Sequence, residues 1–243
     1  MNVIELKNVN KVFYNELGKI EVLDNISFNV EKGKIISIVG PSGSGKSTIL
    51  NIISKIIEIS DGKLEVNGKV GYMFQKDQLL KWRNTLNNVL IGLEITHQLN
   101  EENIEKVKDL LKKYQLIDFI DSYPNELSGG MRQRIALIRT LSVNPNILLL
   151  DEPFSALDYQ TKLLVSNDVF HIIKEEGLTA VLVTHDISEA ISISDQVIVL
   201  TNRPAKIKKI YNIDFDSNLD CIERRKTSEF TKYFNKIWND LNE

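Results

Sequence analysis

The segment Gly40-Pro41-Ser42-Gly43-Ser44-Gly45-Lys46-Ser47 constrains this chain more than any other. It fits the spacing G-x-x-x-x-G-K-[ST]. Before it lies Ile35-Ile36-Ser37-Ile38-Val39, a continuous apolar run of the kind a buried parallel strand requires. After it, Ile49, Leu50, Ile52, Ile53, Ile56 and Ile57 recur at helical spacing, which predicts a helix beginning near Ser47. A glycine loop between strand and helix lets backbone N–H groups turn inward around an anion, at the positive end of the helix dipole. Lys46 then supplies a mobile cation for the β- and γ-phosphates of a nucleotide, and Ser47 a hydroxyl for Mg²⁺. The whole stretch Gly40, Pro41, Ser42, Gly43, Ser44, Gly45, Lys46, Ser47 and Thr48 is therefore expected to hold polyphosphate. A flexible glycine-rich turn is the alternative, and the flanking strand and helix count against it.

The other half of such a site comes much later in the chain. Ile147-Leu148-Leu149-Leu150-Asp151-Glu152 is an apolar strand ending in two carboxylates. Strand ends deliver side chains to the carboxyl edge of a parallel sheet, where ligands bind. Asp151 is expected to hold the Mg²⁺ shell, and Glu152 to face the γ-phosphate and polarise the attacking water. A solvated acidic pair is the alternative, and the phosphate loop in the same chain disfavours it.

The rest of the chain arranges itself around these two elements. Residues 1–30 alternate apolar and polar side chains (Val3, Glu5, Lys7 and Val9 against Ile4 and Leu6; then Ile20, Val22, Ile26, Phe28 and Val30) and suggest short antiparallel strands. Residues 62–75 again look strand-like. Residues 77–142 carry helical spacing at Leu86, Val89, Leu90 and Leu93 and at Ile104, Val107, Leu110, Leu111 and Tyr114. From Ile147 the pattern becomes strand 147–150, helix 160–176, strand 179–184, helix 187–193 and strand 196–200, which argues for a mainly parallel sheet. The expected class is α/β: a phosphate-loop core with an N-terminal antiparallel β subdomain and an inserted helical subdomain. The chain reads as one domain over 1–243. Residues 1–76 and 143–205 form the core, 77–142 the helical insert, and 206–243 an extension ending in an amphipathic helix.

Of the 243 residues, 42% are hydrophobic and 26% charged, and the formal charge of −3 argues against nucleic acid as a partner of the whole surface. The single cysteine, Cys221, cannot form an internal disulfide and reads as a small buried side chain. No secretory leader is visible, and no run approaches the ~18 apolar residues of a membrane span. Any membrane link must then come through a partner. His97 and His171 are read as structural. Lys206, Lys208, Lys209, Arg224, Arg225 and Lys226 are read as solvated faces.

Leu127-Ser128-Gly129-Gly130-Met131 resembles the signature segment of the ABC ATPases, and with the phosphate loop and Asp151-Glu152 it separates that family from other phosphate-loop proteins. The resemblance covers about residues 3–241. It implies a head-to-tail dimer of two copies around two ATP molecules, in which Ser128, Gly129 and Gly130 close on the γ-phosphate held by the opposite subunit. It further implies that Gln75, after Tyr72-Met73-Phe74, senses Mg²⁺ and water and contacts the membrane partner. Ser155-Ala156-Leu157-Asp158 would cross the dimer, and His185 would hydrogen-bond the γ-phosphate. Phe13 would stack on adenine, with its neighbour Tyr14 the other candidate. Two departures stand out: Met131 where glutamine is commonest, which makes it a poor polar group, and the segment Lys55 to Asp61, which lacks the usual glycine and proline.

The wording of Tyr72-Met73-Phe74-Gln75-Lys76-Asp77-Gln78-Leu79-Leu80-Lys81-Trp82-Arg83 is similar to the nitrate/sulfonate/taurine importer ATPases. Ile91-Gly92-Leu93-Glu94, Tyr123-Pro124-Asn125-Glu126 and Val183-Thr184-His185-Asp186-Ile187-Ser188-Glu189-Ala190 share that likeness. This implies an ATP-hydrolysing subunit on the cytoplasmic face of a bacterial membrane, partnered by an integral permease and, through it, an extracytoplasmic solute-binding protein. The solute would be a small anion or a vitamin precursor. A soluble ATPase of the same family acting on nucleic acid or ribosomes is the alternative, and such chains usually carry two cassettes or long insertions. In the tail, Phe230, Phe234, Ile237 and Leu241 recur at helical spacing. Packing on the chain's own domain is favoured over lying on a membrane surface.

Overall fold

The computed structural model describes residues 1–16 and 18–242. Strands β1 (Asn2–Asn15) and β2 (Gly18–Glu31) pair antiparallel, and β4 (Asp61–Val66) joins the free edge of β1 to give a three-stranded sheet. The short strands expected at the N-terminus are thus one long hairpin. Its register slips at several bulges, which break the alternation of the sequence into what reads as separate pieces.

The second sheet has the order β5-β6-β7-β3-β8-β9, with β3 (Ile35–Val39), β5 (Val70–Met73), β6 (Ile147–Asp151), β7 (Thr179–Val183), β8 (Gln196–Leu200) and β9 (Ile207–Asn212). All pairings are parallel except β8 with β9. Every residue of β3 and β7 is buried, as a strand covered on both faces must be. The strand-like stretch 62–75 resolves into two strands in different sheets, β4 and β5, separated at Gly68, whose φ of +146° turns the chain between them. Strand β9 adds a sixth, antiparallel strand from residues beyond 205.

Helix α1 (Lys46–Ile53) is shorter than the apolar spacing suggests. It ends before Lys55, whose φ of +61° breaks the turn, so Ile56 and Ile57 lie outside it. Between β5 and β6 stand α2 (Thr85–Ile95), α3 (Glu101–Lys113) and α4 (Gly129–Leu141). Asn84, Asn100 and Ser128 cap these three helices, each accepting from the backbone N–H three residues on. Their apolar faces join α5 (Tyr159–Glu175) and one side of the central sheet in a single core, into which Met131 packs with its apolar side chain. The opposite side of the sheet packs α1 against the β1–β2 hairpin.

Helix α6 (Ile187–Ile193), α7 (Cys221–Arg224) and α8 (Ser228–Asn242) complete the chain. In α8, Ile237 is fully buried, with Tyr233, Phe234 and Leu241 packed beside it against α6 and β8. The helix therefore covers its own domain. Arg224 corrects the reading of a solvated basic face. Its guanidinium is buried between the rings of Phe170 and Phe215, 4.8 and 5.2 Å away, and donates to the carbonyls of Leu219 and Ser192. Charge patterning alone cannot see such a pocket, because one ring, Phe170, lies on a helix distant in sequence and no periodicity links the other, Phe215, to Arg224. Cys221 is buried beside it, and burial pushes its thiol up to about 12, so it stays a neutral, inert side chain. Among the described residues no helix is long and apolar enough to cross a membrane.

Candidate nucleotide site

Strand β3 lies inside the sheet with β7 on one side and β8 on the other. The chain leaves β3 and later fills both flanks, so the strand order reverses at its carboxyl end. That is where open parallel sheets bind ligands. The loop after β3, the acidic pair after β6, the turn after β7 and the loop after β5 all emerge at this edge.

The loop 40–45 is shaped for close approach to an anion. Gly43 and Gly45 have φ of +75° and +100°, a region open to glycine at no steric cost. A methyl group on Gly43 would meet nothing within 4 Å, whereas one on Gly45 would stand 2.9 Å from Val22 and Leu23 of β2. The loop thus has one glycine facing open space and one pressed on the hairpin. Lys46 is buried, and its Nζ donates to the Gly40 and Pro41 carbonyls, 2.9 Å each. Burial lowers its pKa, opposed by the charges of Glu152 and Asp151. The buried Ser44 hydroxyl has no hydrogen-bond partner among the described residues.

Ser47 Oγ donates to Asp151 Oδ1 at 2.9 Å, so the two oxygens proposed for Mg²⁺ are adjacent. That separation matches two neighbouring vertices of an octahedron with ~2.0–2.1 Å metal–oxygen bonds. A hydroxyl and one carboxylate, with the remaining positions left to phosphate and water, is the donor set Mg²⁺ takes. The residues therefore fit the ion. Tyr72 donates to the other oxygen, Asp151 Oδ2, at 3.2 Å. Burial raises the pKa of Asp151, while the hydrogen bonds from Ser47 and Tyr72 pull it back.

Glu152 has φ of +44°, a left-handed conformation uncommon for a residue with a side chain. Such strain costs about 1–3 kcal/mol and persists where the surroundings over-determine it. Its N–H extends the sheet by donating to the Val183 carbonyl of β7. Its carboxyl meets two partners at one oxygen, Gln75 Nε2 at 3.1 Å and His185 Nδ1 at 3.2 Å. Glu152, Gln75 and His185, which are far apart in the chain, are therefore one cluster, although Gln75 touches Glu152 rather than the Ser47–Asp151 pair.

The signature segment is built differently. Ser128 caps α4 by accepting from Met131 N–H at 3.2 Å, and Gly129 and Gly130 press on Leu157 and on Thr161 and Val165. It is thereby seated on the 155–158 segment, where Asp158 caps α5. Phe13 stands half-exposed on β1 under Lys11 Nζ, 4.7 Å from its ring, on the hairpin that also presses Gly45.

Three groups escaped the sequence reading. Tyr72 is one. The others are Lys162, partly buried on α5, and Glu189, buried behind the His185 turn. Their signal was a charged residue at an inward position of each helix, visible only once the helices are docked.

The ABC transporter family matches residues 23–155. The ABC transporter ATP-binding protein YtlC of Bacillus subtilis is 44% identical across 100% of this chain and 96% of its own length. The aliphatic sulfonates import ATP-binding protein SsuB of Bacillus cereus is 37% identical over 85% of this chain and 84% of its own. The nitrate import ATP-binding protein NrtD of Synechocystis is 34% identical over 96% and 93%. Among solved structures, a dimeric post-hydrolysis state of the ATP-binding cassette MJ0796 with ADP and Pi superposes with a TM-score of 0.76 at 32% identity. It covers 88% of this chain and 100% of that one. The chain belongs to the ABC transporter family. Within it, it is an ATP-binding subunit and an ATPase.

Proposed function

We propose that this chain powers an ABC importer: two copies close head to tail on two ATP molecules and drive an integral membrane permease. The observation that carries the reading is the convergence, at one sheet edge, of Lys46, the Ser47–Asp151 pair and a strained Glu152 held by Gln75 and His185. In this reading Phe13 stacks on adenine and residues 40–48 enclose the phosphates. Lys46 leaves the Gly40 and Pro41 carbonyls for the β- and γ-phosphates. Ser47 and Asp151, with Gln75, would hold Mg²⁺, which when bound would neutralise phosphate charge. Glu152 positions and polarises the attacking water, and His185 hydrogen-bonds the γ-phosphate. The leaving phosphate needs no covalent help from the protein, so the rate gain comes from positioning and charge.

Ser128, Gly129 and Gly130 would face the ATP of the second copy, with Asp158 at the crossing. Seating of the signature segment on residues 157–165 supports this, because both would then meet the partner together. Residues 77–142 would turn as a unit against the core of 1–76 and 143–205. The permease contact is read from the exposed ring of Phe74, next to Gln75 in the chain, and from that of Trp82 later in the same loop. The imported solute is a small anion of the nitrate, sulfonate or taurine kind, or a vitamin precursor, delivered by an extracytoplasmic binding protein. In this reading the chain works at the cytoplasmic face of the membrane. Sulfonate- and nitrate-import relatives support it.

The test is purification of the tagged chain from its native membranes, with mass spectrometry of what accompanies it. A multi-span permease together with a solute-binding protein is the expected result. Ribosomes or nucleic acid without a permease would overturn the transport reading and favour the soluble alternative.

A further inference from the structure

Strand β5 and its exit loop hold both members of the acidic pair. Parallel pairing sets Tyr72 beside Leu149 and Met73 beside Leu150, so residues 72–75 run alongside 149–152. Gln75 at the end of this run donates to Glu152, and Tyr72 at its start donates to Asp151. The Asp151 carboxylate is thereby gripped at both oxygens, by Ser47 on Oδ1 and by Tyr72 on Oδ2.

We infer that Tyr72 is a positioning residue for the Mg²⁺ ligand Asp151: its hydroxyl fixes the carboxylate so that Oδ1 stays beside the Ser47 hydroxyl. The inference rests on the nucleotide reading above. A carboxylate free to rotate at χ2 would present either oxygen, and a partner behind a ligand removes that freedom. Tyr72 itself has little room to wander. Its single hydroxyl hydrogen is shared between Asp151 Oδ2 at 3.2 Å and Asn51 Oδ1 on α1 at 3.1 Å, and its ring leans on Phe74 at 4.6 Å between centroids. Phe74 is exposed, so a partner pressing on this loop reaches Asp151 through one ring and one hydrogen bond.

The simpler alternative is that Asp151 and Asn51 only satisfy a buried hydroxyl. The two are separated by Tyr72→Phe, which keeps the ring. The measurement is binding of labelled ATP by equilibrium dialysis in the Glu152→Gln background, as a function of free Mg²⁺ and also without it. The parent must first show Mg²⁺-dependent binding; if it does not, the nucleotide reading itself fails. Given that, Tyr72→Phe is expected to raise the Mg²⁺ midpoint about ten-fold. Mg²⁺-free binding should stay within two-fold, and the melting temperature should stay close to the parent's. An unchanged midpoint would overturn the inference. So would equal weakening with and without Mg²⁺, which is the mark of a merely structural hydroxyl.

Discussion

Replacing Glu152 with Gln is expected to leave ATP binding within a few-fold of the parent while ATP hydrolysis falls by about 10²–10⁴-fold, the range a positioned general base contributes. The groups that would hold the triphosphate are Lys46, Ser47 and Asp151, and none of them depends on the charge of Glu152 for its place: Lys46 is held by two carbonyls and Asp151 by two hydroxyls. Glu152 itself sits at a strained φ of +44° with Gln75 and His185 both on one oxygen. That is far more organisation than a solvated acid needs. A glutamine preserves shape and keeps one acceptor oxygen for these partners, and it removes the charge and with it the basicity. Steady-state phosphate release and nucleotide titration on the same preparation check both halves. Turnover near the parent's rate would remove Glu152 from the role of base.

The second large effect is on stability. Lys162 of α5 lies 2.8 Å from Asp186 and 3.4 Å from Glu189, and Glu189 is only 2% exposed. Glu189 also accepts from the Thr184 hydroxyl, which in turn accepts from Asp186 N–H, so the turn carrying His185 is closed by this cluster. Burial raises the Glu189 pKa, against the pull of Thr184 and Lys162. For Lys162, burial works downward but the hydrogen bond and charges of Asp186 and Glu189 prevail and raise it. Lys162→Met is therefore expected to destabilise the fold by about 3 kcal/mol, because it strands a buried carboxylate. The double variant Lys162→Met with Glu189→Gln is expected to recover part of that loss, since the buried Glu189 charge is then gone, while Asp186 is partly exposed and keeps the N–H groups of Ser188 and Glu189. Urea unfolding of the parent, the single and the double variants checks it. A single variant as stable as the parent would show that the pair is screened by water and contributes nothing.

Much of the site was legible because its chemistry is written in short spacings. The loop 40–47 and the strand ending in Asp151-Glu152 each announce themselves within a few residues, and periodicity placed β6, β7, β8, α5 and α6 to within a residue or so. What stayed hidden depends on register between distant segments. That Tyr72 reaches Asp151 follows from the pairing of β5 with β6, which no local pattern encodes. The split of 62–75 between two sheets was hidden because both strands alternate alike and only Gly68 turns the chain. Arg224 was misread because a guanidinium between two aromatic rings looks, in sequence, like any surface arginine. Charge reads as exposure until packing supplies the partners.

In the proposed function ATP joins two copies of this chain, each completing the other's site with Ser128, Gly129 and Gly130. Sedimentation of the Glu152→Gln variant tests it most directly, because that variant is expected to hold ATP without consuming it. The expected result is a monomer in the absence of nucleotide and a dimer at saturating ATP and Mg²⁺, reverting when the nucleotide is removed. A protein that binds ATP and still sediments as a monomer at every concentration would contradict the account.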